Sequence, residues 1–154
     1  MSKVKEKLGV GIFELAALSL LGLPRVILHD LSVIEEGTFF NLLLVFVPVI
    51  VWIIYILRRK VKAPFLSMLL LCIIYGIILG ITHQILWTQS FPEGVQLGGN
   101  LSELPAAVSN AIIRGFAFLS SITTGTIMGL ALGAVTWLLN QLLNRIIRGN
   151  ENHL

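Results

Sequence analysis

Seven polar side chains interrupt the apolar runs of this chain at places where chemistry is possible: Glu14, Arg25, His29, Asp30, Asn41, His83 and Arg114. A carboxylate beside an imidazole is the pairing of general acid–base work. A guanidinium grips carboxylates and phosphates, and a carboxyl in an apolar place holds a proton more readily than one in water. Each residue also has a plain reading. Arg25 and Arg114 can snorkel to headgroup phosphates, and His29 and His83 can be hydrogen-bonded structural groups. Glu14 lies eleven residues before Arg25, roughly 16 Å along a helix, so its partner must come from elsewhere, be it another span, a water or a proton.

Several reactions are excluded. Asp30 is the sole aspartate, so paired-aspartate chemistry, including that of the four-span lipoprotein signal peptidases, is missing a partner. Neither H-E-x-x-H nor G-x-S-x-G occurs, which removes the common zinc proteases and serine hydrolases. Metal ligation is not expected, because His29 and Asp30 are helix neighbours whose side chains diverge, and no cofactor is implied. The lone Cys72 sits in an apolar run and reads as packing. A net charge of +3 would suit nucleic acid only if the basic residues shared a solvated face, whereas here they separate apolar runs.

The elements that must position these residues follow from composition. With 56% hydrophobic and 12% charged residues and a mean hydropathy of +0.90, the chain belongs with integral membrane proteins. Runs long enough for a bilayer core of about 30 Å fall at about 8–28, 38–57, 64–87 and 116–140. The fold class expected is therefore an all-α membrane protein with four transmembrane helices. Lys3, Lys5 and Lys7 precede the first run, Arg58, Arg59, Lys60 and Lys62 separate the second and third, and Arg145 and Arg148 follow the fourth. Basic residues are retained in the cytoplasm, so both termini are expected there, with an uncleaved first span and a long outer loop between spans three and four. Ser102 is expected to cap a helix, with Pro105 in its first turn, that lies at the membrane interface before span four descends. Paired apolar residues every four positions predict a cytoplasmic interfacial helix over about 138–148.

Helical phase then assigns faces. Glu14, Leu18, Arg25 and His29 form one stripe on span one, and Asn41 heads a similar stripe on span two. In span three, Gly76 and Gly80 make a G-x-x-x-G with His83 one turn beyond, so His83 is expected to face protein. Gln84 is expected about 100° away, at the helix end or the headgroups. Span four carries Ser121, Gly125, Gly129 and Gly133 at spacings of four, a surface for close helix contact whose partner is open: span one, span three or a second copy. Arg25, His29, Asp30, Asn41, His83 and Arg114 share one depth, near the outer end of the bundle. The expected picture is a polar vestibule there, with Glu14 alone in the inner half.

The function that fits is transport of a small solute, either alone or as the membrane subunit of a transport complex. Small size and the lack of eukaryotic trafficking signals point to a prokaryotic cytoplasmic membrane. The expected partners are the lipid bilayer and a second copy or partner subunit on the glycine faces. The rivals are a non-catalytic assembly partner and a lipid-active enzyme using His29, Asp30 and His83.

Overall fold

The computed structural model describes residues 3–151, and among them there is no strand. Seven α-helices follow one another: α1 Lys3–Leu8, α2 Ile12–Ser19, α3 Leu23–Asp30, α4 Phe39–Arg58, α5 Pro64–Ile85, α6 Trp87–Ser90 and α7 Ala106–Glu151. Four stretches are long and apolar enough to cross a membrane: Ile12–Asp30, Phe39–Arg58, Pro64–Ile85 and Ala106–Gly149. Large apolar side chains point outward along them, among them Phe13, Phe40, Phe46, Phe116 and Ile127, all more than half exposed. A soluble protein does not carry such a belt, whereas a membrane-embedded one needs it.

Span one is shorter and less regular than its composition suggests. Gly9 has φ +86°, which ends α1 and moves Leu8 out of the span. The loop after α4 passes so close that a Cβ on Gly9 would lie 3.0 Å from the Lys62 nitrogen, so glycine is required on two counts. Further along, Pro24 has no N–H to return to the Leu20 carbonyl, and Leu20–Gly22 tightens into a 3-10 turn between α2 and α3. Three residues at 120° instead of 100° add about 60° of rotation. The single stripe expected on span one is thereby split: Glu14 and the α3 residues look toward different neighbours. The Trp52 indole donates to the Leu18 carbonyl (2.7 Å) beside this turn, fastening span one to span two.

α5 is the central helix. In its most apolar stretch 39% of residues are buried, against 22% in each of the other three spans. Met68, Leu71 and Cys72 of α5 pack with Leu15, Trp52 and Ile56 in one core. The tightest seam runs between α5 and α7. A Cβ on Gly76 would lie 2.8 Å from the Ser121 carbonyl oxygen and 3.2 Å from Gly125 Cα. Gly125 in turn abuts the Cys72 carbonyl, Gly129 faces Cys72 and Leu69, Gly133 faces Phe65, and Gly80 faces Phe118. Small residues on both helices let the backbones touch, and the small-residue face of α7 thus meets span three of the same chain.

α7 runs unbroken for 46 residues, about 69 Å at 1.5 Å per residue, more than twice the thickness of a bilayer core. Residues 138–148 are its closing turns and not a separate helix. Ser102 does not cap it; its hydroxyl donates to the Gly99 carbonyl in a 3-10 turn, and the Pro105 carbonyl accepts the first bonds from Val108 and Ser109 instead.

Candidate functional site

At the end of the bundle where α3 and α5 finish lies an open cavity of about 590 Å³. Arg25, His29 and Asp30 reach it from α3, Glu35 and Glu36 from the turn that follows, and His83 from α5. The turn folds back because Ser32 adopts a left-handed conformation (φ 54°) while the Val33 nitrogen bonds the Leu28 carbonyl, a helix-ending geometry. Thr38 then accepts from the Asn41 nitrogen (3.3 Å) and opens α4.

The polar groups are paired across elements. Asp30 is 4% exposed and its Oδ2 lies 2.6 Å from His83 Nδ1, with His29 Nδ1 at 3.7 Å from the other oxygen. His29 Nε2 meets Glu36 at 3.2 Å. Arg25 Nε donates to the Asn41 amide oxygen (3.1 Å), and its Nη2 stands 3.9 Å from Glu36. A carboxylate that is nearly sealed from solvent is costly unless paired, and His83 is what pairs it. Span one, the turn after it and span three are thus tied together at one end of the bundle by contacts between basic and acidic side chains, and the Arg25–Asn41 hydrogen bond adds span two.

Of the seven residues expected at the site, Arg25, His29, Asp30 and His83 line this cavity, and Asn41 holds Arg25 from behind. Arg114 stands apart: its guanidinium lies over the Trp87 ring, 5.1 Å from the centroid, a cation–π contact. Glu14 belongs to the opposite end. Arg59 Nη2 is 3.2 Å from both its oxygens and the Tyr55 hydroxyl donates to it at 3.2 Å, with Lys5 Nζ at 4.0 Å. The bond to Glu14 raises the Arg59 pKa above its ordinary value. Glu14 therefore finds its partners in Tyr55 of span two and Arg59 just beyond the end of that span.

Two phases differ from the sequence reading. His83 was expected to share the face of Gly76 and Gly80, with Gln84 turned away. The ridge that meets α7 is Cys72, Gly76, Gly80 and Gln84, four apart, and Gln84 Nε2 donates to the Arg114 carbonyl (3.2 Å). His83 lies to the side of that ridge and reaches α3. His29 and Asp30, expected to diverge, converge on one cavity, because Glu36 and His83 draw them there. The sequence reading missed Glu36 as a partner; the acidic pair just ahead of the Gly37-Thr38 helix start was the available signal. Among the described residues no three His, Cys, Asp or Glu side chains are grouped as a metal ion would need.

Compared with known protein families, curated proteins and solved structures, the chain matches none. Function is therefore argued from the site.

Proposed function

We propose that the protein carries a small charged solute across the membrane, alone or as the membrane subunit of a transport complex, taking it up through the cavity at the His83 end. One observation supports this reading above all: a single open cavity that holds a guanidinium, two imidazoles and three carboxylates among helices that are otherwise apolar. Charges at such a depth are expensive and mark pathways for solutes or protons. A helix-packing partner has no need of them.

The orientation follows from charge. Nine of the eleven basic residues lie at or beyond the end that carries Glu14, so both termini are cytoplasmic and the cavity opens outward. Cysteine labels at Glu36 and Gln96 are expected to react only from outside. Labels at Ser2 and His153, which lie outside the described residues, are expected to react only from the cytoplasm. External reaction of either terminus reverses the orientation.

Transport is tested with purified protein in liposomes and a panel of labelled amino acids, carboxylates and amines. Arg25→Gln and Asp30→Asn are each expected to lower the initial rate of the accepted solute roughly tenfold, the effect of losing one charge-assisted contact. Uptake equal to that of empty liposomes across the panel, or rates untouched by both substitutions, rejects the reading.

A lipid-active enzyme is the second reading, and it also has an observation in its favour. Asp30 engages His83 through Nδ1, the way a carboxylate orients a general base. Release of a headgroup from bilayer phospholipid by the wild type, lost in His83→Gln, would favour it over transport.

A further inference from the structure

A second cavity, of about 270 Å³, lies deeper in the bundle, and all four spans frame it. Arg25 lines both cavities. Gly22 and Arg25 come from span one, Pro48 and Trp52 from span two, Tyr75 and Leu79 from span three, and Met128 from α7. Val45 and Thr124, both exposed, form its rim, so it opens sideways between α4 and α7. Trp52 and Tyr75 make its aromatic wall, with ring centroids 5.6 Å apart.

The polar groups aimed into this space are incompletely used. Arg25 spends Nε on Asn41, and among the described residues its terminal nitrogens donate to nothing within hydrogen-bond distance. The nearest carboxylate, Glu36 at 3.9 Å, is 74% exposed and lines the outer cavity instead. The Tyr75 hydroxyl likewise has no bond to the described residues. Pro48, inside α4, has no N–H for the carbonyl of Leu44, which also lines the cavity. Of the described residues around it, Arg25 alone is charged. A guanidinium with spare donors, in walls otherwise aromatic and aliphatic, selects an anion with an apolar body. Sites of this kind in transporters sit near the midplane where a helix is interrupted. Here a 3-10 turn interrupts span one at Gly22 and a proline interrupts the hydrogen bonding of span two.

We infer that this cavity is a binding site for a small amphiphilic carboxylate, its anionic group on Arg25 and its apolar body against Trp52 and Tyr75. As a statement of substrate class it rests on the transport reading, yet binding is measured apart from movement.

The test uses the full chain in nanodiscs with Trp87→Phe and Trp137→Phe, which leaves Trp52 as the single indole. 4-Bromobenzoate, a heavy-atom quencher, is titrated against 4-bromobenzamide, which has nearly the same shape without the charge. Saturable quenching by the carboxylate and not the amide is expected. Arg25→Gln is expected to weaken it roughly tenfold or more, while Arg25→Lys and Glu36→Gln retain it. Equal quenching by both compounds, no saturable quenching, or quenching untouched by Arg25→Gln overturns the site. The comparison of the two probes on the Arg25 protein stands even where a variant fails to fold. Quenching without uptake in liposomes leaves the site standing and ends the transport reading. Uptake of some other solute with no quenching does the reverse.

Discussion

Gly125→Leu is expected to be the most damaging single substitution in the chain. Its side chain would be driven into backbone, because even a Cβ at this position meets the Cys72 carbonyl and lies 2.8 Å from Gly76 Cα. A side chain in the way can rotate; a backbone can move only if the helix does. Overpacking in a tight core costs about 1–3 kcal/mol, and a clash of backbone on both sides belongs at or above the top of that range. The α5–α7 seam also anchors the central helix, so its loss releases α5 from the rest of the core. The thermal midpoint in detergent should fall by well over ten degrees, or the protein should fail to purify as a single species. Gly115→Leu is the control, since nothing lies within 4 Å of a Cβ there. Equal midpoints for the two variants would show that the seam does not hold the fold.

The second large effect is expected at His83. Its imidazole is the closest partner of Asp30, a carboxylate 4% exposed, at 2.6 Å. His83→Ala leaves that carboxylate with the His29 ring, 3.7 Å away, as its nearest remaining side-chain partner. Losing a hydrogen bond to a charged, nearly buried group costs about 2–3 kcal/mol. Gln84→Ala, one residue on, removes a neutral bond to the Arg114 carbonyl and should cost about 1 kcal/mol. Chemical denaturation in mild detergent, comparing the two midpoints, checks the ordering. His83→Ala combined with Asp30→Asn should recover part of the loss, because the orphaned charge is then gone. Equal effects at 83 and 84, with no recovery in the double variant, would remove the Asp30–His83 contact from the structure's working parts.

Composition and local pattern by themselves determined that this is a helical protein with four membrane-length apolar runs, since length and apolarity are properties of consecutive residues. The spacing of four in Ser121, Gly125, Gly129 and Gly133 marked a close-packing face for the same reason, and the depth of Arg25, His29, Asp30, Asn41 and His83 followed from counting along each helix. Partner choice was decided only by the tertiary structure. A fixed 100° per residue cannot anticipate the 3-10 turn at Leu20–Gly22, which rotates α3 against α2 and separates the neighbours of Glu14 from those of Arg25. Nor does periodicity say which helix lies beside a given face. α5 sits at the centre, so its glycine ridge meets α7 while His83, one step around, meets Asp30 of α3. Arg59 could claim Glu14 only once span two was laid against span one. The deeper cavity exists because Gly22, Pro48, Tyr75 and Met128, far apart in the chain, converge around one arginine, and such convergence is a non-local outcome of packing that no single helix encodes.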